Sequence, residues 1–192
     1  MNRKILQITL SLVLLIGLTS IISATDFYYT TDRDALAVMN RLATRLTQAS
    51  HLNFSASLYI EHYPQVNAYS TSDGRIIVTQ GLLRSISTEE ELAGAIAHEM
   101  GHVLPTLQRR AIRTFTLVGN DEYSADKLGI QLLEKAGINP LGIANMLETV
   151  LEHDGKTLPR AQAHQISDRI HRIEKKAAHY VPVPAEQEAS GL

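Results

Sequence analysis

One pentapeptide, His98-Glu99-Met100-Gly101-His102, restricts the fold of this chain more than any other stretch of its 192 residues. Its two imidazoles act together only on an α-helix, where residues four apart project from one face. The flanking sequence supports a helix. Ser87-Thr88-Glu89-Glu90 reads as a capping box, and Leu92, Ile96 and Val103 recur with helical period. Gly101 keeps the surface small between the histidines, and Pro105 is expected to stop the helix at about Leu104.

On that helix His98 and His102 reach a single metal ion, while Glu99 approaches a water bound there without being a ligand itself. The chain has no cysteine, so its fold rests on no disulfide and any metal site is built from His, Asp and Glu. Its eight histidines make metal chemistry worth testing. A catalytic zinc takes three protein ligands and keeps one position open; it lowers the pKa of bound water to about 7 and polarises a carbonyl while a carboxylate moves the proton. Glu99 has the place for that carboxylate. For the third ligand, Glu122 opens the next predicted helix, with Asp126 one turn further along the same face. A ligating carboxylate beside a second one that holds a histidine's other nitrogen is a common arrangement. The competing reading is that Asp121 and Glu122 merely complement a helix dipole, and spacing does not decide between them. Glu134 and Glu148 are weaker rivals, since neither opens a helix close after the pentapeptide. Against a metal-free reading of the motif stands the cost of burying a His-Glu-His cluster with its polar groups poorly satisfied.

The rest of the chain reads as helix, small sheet, then helices. Asp32 to Ala49 carries a helical stripe with Asp32 as N-cap, and Ser55 to Tyr63 alternates as a strand. Asn67 to Ser70 and Arg75 to Thr79 are two further extended pieces separated by Ser72-Asp73-Gly74. Helices follow from Asp121 to Ala136, ended by Gly137, and over Pro140 to Glu152 and His164 to His179; the arginines 109, 110 and 113 lie on a solvated, helical stretch. The fold class is α+β, with a small antiparallel sheet preceding the metal-binding helix. The strand residues Asn67, Ala68, Arg75, Ile76, Ile77 and Val78 are read as an exposed edge to which an extended peptide adds through main-chain hydrogen bonds.

Composition bounds the rest. At 44% hydrophobic and 20% charged residues the chain supports one domain with a real core, and a net charge of −2 without a basic stripe excludes nucleic acid as a partner. Arg3 and Lys4 precede an apolar run from Ile5 to Ile22, with small Ala24 beyond: a secretory signal over residues 1–24, or an uncleaved anchor tethering the protein to a membrane. Either way the following domain, residues 25–180, faces away from the cytoplasm. Phe27, Tyr28 and Tyr29 begin either an interfacial belt or the core, and residues 181–192, with Pro182 and Pro184, are expected to form a mobile tail.

Three blocks in fixed order resemble the HtpX-like and CAAX-prenyl-endopeptidase-type zinc metallopeptidases, a family that includes Oma-type and bacterial periplasmic members. They are Asn67-Ala68-Tyr69 with Gly74 to Leu83, Glu91 to Val103, and Glu122 to Gly129 followed by Ala136-Gly137-Ile138-Asn139-Pro140. The resemblance spans Val66 to about Arg172. It implies a mainly helical, zincin-like (gluzincin) domain holding one zinc ion, with His98, His102 and Glu122 as ligands and Asp126 as support. It also implies a periplasmic endopeptidase acting on extended or unfolded polypeptide, in envelope protein quality control. Two departures matter. The stretch between the metal helix and the Glu122 helix is much shorter than in the family, and the family's His-Pro…Arg-Ile block survives only as His164 and Arg169-Ile170, with Gln165 in place of proline. His164 and Arg169 are carried over as candidates for a role near the oxyanion or the glutamate ligand. A catalytically weak zinc-binding chaperone or adaptor for unfolded chains is the alternative, and a zinc hydrolase of small amides or esters a third. The oligomeric state is not legible in the sequence.

Overall fold

The computed structural model describes residues 32–51, 54–71, 73–111 and 122–181, with backbone alone for 106–111. The expected signal or anchor, the aromatic run at 27–29, Ser72, Arg113, Asp121 and the tail from 182 lie outside the described residues. Among those described, no helix is long and apolar enough to cross a membrane. The order is α1 (Asp32–Ala49), β1 (Ser57–Glu61), β2 (Ala68–Ser70), β3 (Arg75–Thr79), α2 (Gln80–Ser85), α3 (Glu89–Ala111), α4 (Glu122–Lys135), α5 (Leu141–Asp154) and α6 (Arg160–Ala177). The α+β class is as expected.

The sheet differs from expectation in one pairing. Strand order is β1-β3-β2, with β2 antiparallel to β3 but β1 parallel to it. Alternation places side chains on two faces and is blind to strand direction. What decides it is the crossing segment between β1 and β2. Thr79 holds that segment down: its hydroxyl lies 2.6 Å from the Gln65 carbonyl and accepts from Asn67 N–H and Leu82 N–H, so one side chain ties the crossing to the end of β3 and caps α2. A second correction follows. Arg75 to Thr79 is the central strand, paired on both sides, with Ile76, Ile77 and Val78 buried; the edges are β1 and β2.

Helix α3 forms the centre of the core. Leu92, Ala93, Ile96, Ala97 and Met100 are fully buried, and α1, α4 and α5 pack around them. Its N-terminal box sits one residue later than the sequence suggested. The Thr88 hydroxyl accepts from Glu91 N–H, while the buried Glu91 carboxylate accepts from Ser87 N–H, the Thr88 hydroxyl and Thr149 of α5. Burial of Leu92 and Ile96 sets the helix phase, and that phase turns Glu91, not Glu90, inward. Glu91→Ala removes the acceptor of three donors, leaves the buried Thr149 hydroxyl without this partner, and removes a tie between α3 and α5. An expected loss of about 2–3 kcal/mol follows from hydrogen bonds to a buried charge, read as a lower urea midpoint; an unchanged midpoint would show the ties to be marginal.

Pro105 does not stop α3, which continues to Ala111. Proline costs a helix interior about 3 kcal/mol, and here the burial of Met100, Val103 and Leu104 outweighs it. Helix α4 ends as expected: Gly137 adopts φ 65° and Ile138 N–H reaches the Leu133 carbonyl. Helix α6 begins at Arg160, directly after Pro159, four residues before the expected start at His164.

Candidate active site

The cap and the apolar stripe of α3 leave one face of the helix uncovered near its middle, and His98, Glu99 and His102 line a cleft of about 520 Å³ there. Glu122, in the first turn of α4, reaches the same point. His98 Nε2 lies 3.2 Å from His102 Nε2 and 3.2 Å from Glu122 Oε2, and His102 Nε2 lies 3.4 Å from Glu122 Oε1. Among the described residues, these three side chains form the single group of His, Asp and Glu donors close enough to hold one metal ion. Their spacing fits zinc: a tetrahedron with bonds of ~2.0–2.1 Å has edges of about 3.3–3.4 Å.

The neighbours of this triad hold it in place. Asp126, one turn after Glu122 and buried, accepts from His98 Nδ1 at 3.0 Å, which fixes the ring and leaves Nε2 facing the cleft. Arg169 of α6 is also buried. Its Nε and Nη2 donate to the two oxygens of Asp126 at 2.9 and 2.7 Å, and its Nη1 lies 2.7 Å from Glu122 Oε2. One guanidinium therefore spans both carboxylates of α4. Its fork geometry suits this two-handed hold, which a lysine cannot reproduce.

The charges are strongly coupled. Burial works against a charged His98, but hydrogen bonds to Asp126 and Glu122 outweigh it and hold the imidazole up at about 9. Hydrogen bonds from His102 and His98 keep the Glu122 carboxyl well below the usual carboxylate range. Burial would raise Asp126, yet its bonds to His98 and Arg169 bring it below its ordinary value. Glu99 differs from these acids: the residue is largely buried, but its side chain lines the cleft and has no hydrogen-bond partner among the described residues. A carboxylate that faces the cleft beside a cation site, with no hydrogen bond holding it, is placed to exchange protons with a molecule entering the cleft.

The structure thus brings together His98, Glu99, His102, Glu122, Asp126 and Arg169. It does not bring in His164. That side chain is 80% exposed, with Asp168 at 3.8 Å, and is absent from the cleft lining. The reason is angular: His164 and Arg169 are five residues apart on one helix, which turns them about 140° from each other. Of the expected substrate-strand residues, Asn67 and Ala68 line the cleft; Arg75, Ile76, Ile77 and Val78 do not. The sequence reading missed Tyr69 and Ser70, which continue the β2 side, and the opposite wall of Met146, Leu147, Val150 and Ile166. Helical periodicity marks those four as apolar, but not as the lining of a cleft.

Comparison with known proteins agrees with this geometry. Residues 29–117 match the pattern of Peptidase family M48. The beta-barrel assembly-enhancing protease of Yersinia pestis is 25% identical over 156 aligned residues, covering 59% of this chain and 32% of that protein. Its namesake from Escherichia coli (strain K12) is 23% identical over the same shares. The chain therefore spans about a third of the length of these relatives. The family resemblance drawn from the three sequence blocks is borne out, and the chain is similar to peptidases.

Proposed function

We propose that this chain, similar to the M48 peptidases, is a zinc-dependent endopeptidase. It hydrolyses extended or unfolded polypeptide outside the cytoplasm, in envelope protein quality control. The observation that carries the reading is the convergence of His98, His102 and Glu122 at zinc-like spacing beside the unpartnered Glu99. One zinc ion on those three side chains would supply a Lewis acid for the scissile carbonyl and for the attacking water. Glu99 takes the water's proton and returns it to the nitrogen of the leaving amine. Asp126 keeps His98 in the tautomer whose Nε2 lone pair faces the cleft, and Arg169 keeps both α4 carboxylates aimed. The substrate lies along β2, an edge strand whose residues border the cleft, and pairs with it through main-chain groups at Asn67, Ala68, Tyr69 and Ser70. The basic-then-apolar N-terminus supports export, and the relatives' name, which refers to β-barrel assembly, supports the envelope setting.

The deciding experiment compares metal content and casein hydrolysis of the wild-type chain with Glu122→Ala. Wild type should hold about one zinc per chain and cleave, as three protein ligands require; the variant should lose both. Equal zinc in the two proteins would mean the third ligand is another residue. Stoichiometric zinc with no cleavage and saturable binding of unfolded chains would favour an adaptor instead.

Zinc binding carries a pH signature. Metal at His98 displaces the proton that Asp126 and Glu122 retain there up to about pH 9. Apparent affinity should then rise roughly tenfold from pH 7 to pH 8, because one proton leaves per ion. For the metal-free protein the sign is opposite. A raised histidine pKa contributes stability that is fully present below about 6.5 and lost as pH rises through about 9. Chelator competition reads the first trend and thermal melts of the stripped protein the second; two flat profiles would place the proton elsewhere.

A further inference from the structure

The two sides of the cleft differ in chemistry. One is a polar strand edge. The other is made by Met146, Leu147 and Val150, on one face of α5, together with Ile166 of α6. Met146 and Leu147 are buried against the core, whereas Val150 and Ile166 are only half-buried, so apolar surface remains exposed inside the cleft. No titratable group interrupts this wall. Arg169, which lies one turn beyond Ile166, has its guanidinium engaged by Glu122 and Asp126 and offers no charge to an incoming acid. Glu99 and Glu122, which share the cleft, repel one.

A peptide lying on β2 directs alternate side chains to opposite faces, so only some of them meet the wall. We infer that the cleft selects polypeptides with a bulky apolar residue, such as Leu, Phe or Met, next to the scissile bond, and that Val150 and Ile166 determine this preference. The inference rests on the peptidase reading above. Filling an apolar pocket discriminates by roughly 10- to 200-fold per methylene-scale difference. Burying a charged side chain there, without a partner, is penalised further.

The test uses the zinc-loaded full chain and quenched fluorescent peptides that differ only in the residues flanking the cleaved bond, with the cut located by mass spectrometry. At one flanking position, Leu or Phe should exceed Ala by at least tenfold in kcat/KM and Asp by at least a hundredfold. Val150→Lys should lower the Leu-to-Asp ratio at least tenfold. Val150→Ala, a milder change for the fold, should shift preference from Leu towards Phe. A flat profile, or unaltered ratios in both variants, overturns the inference and leaves the peptidase reading intact. Failure to cleave any peptide or casein while zinc is bound would instead overturn that underlying reading.

Discussion

Glu99→Gln is expected to lower casein hydrolysis by about 10²–10⁴-fold, the usual worth of a general base, while zinc content and thermal midpoint stay at wild-type values. The separation of effects follows from what Glu99 touches. It is buried and lines the cleft, yet it accepts no hydrogen bond from the described residues, so an amide of equal size strands no donor. Glutamine cannot accept the proton that hydrolysis must move. The three side chains proposed as zinc ligands are untouched, which is why zinc should remain. Turnover equal to wild type would remove Glu99 from the mechanism; loss of zinc would mean that it acts on the ligands rather than on the water.

The second large effect is expected at a residue outside the cleft lining. A Cβ on Gly101 would stand 2.5 Å from the Ala125 carbonyl oxygen and 2.8 Å from its Cα. Both are backbone atoms of α4, so no side-chain rotation relieves the contact. Helix α4 must move out by about an ångström to restore ordinary packing, and Glu122 and Asp126 move with it, since Ala125 lies between them. Displacements of that size cost a positioned group about 10² in function, so zinc affinity of Gly101→Ala should fall about a hundredfold. Stability should fall too, by about 1–3 kcal/mol for overpacking. Gly94→Ala separates the two effects. Its Cβ would lie 2.4 Å from the Gly142 carbonyl carbon of α5, an equally tight crossing on a helix that carries no ligand. That variant should melt earlier yet retain zinc affinity. Zinc titrations showing Gly101→Ala bound as tightly as wild type, or both variants weakened alike, would reject the idea that this crossing sets the metal geometry.

The His98–His102 pair and its helix were legible because they depend on local rules: a four-residue spacing, a cap and an apolar stripe. Glu122 and Asp126 were legible in a weaker sense. Their spacing on one helix was visible, but spacing left ligand and dipole partner open, and only the family resemblance favoured the ligand reading. With Arg169 the sequence suggested a role near the oxyanion or the glutamate ligand, and the geometry favours the latter, through contacts to two carboxylates more than forty residues away. His164 shows the reverse error. A partial motif drew it in, although its five-residue separation from Arg169 already put it on another face of α6.

What the sequence determined by itself was therefore the local chemistry: which helix carries two imidazoles and an acid on one side, where strands alternate, and where Gly137 ends a helix. These follow from periodicity and backbone sterics within a few residues. Only the tertiary structure decided that β2 rather than β3 is the edge beside the cleft, that β1 joins in parallel, that Glu91 rather than Glu90 turns inward, and that four core-like residues of α5 and α6 form the cleft wall. Each of these depends on contacts between segments far apart in the chain. Hydrophobic patterning says that a side chain is to be buried; it does not say against what.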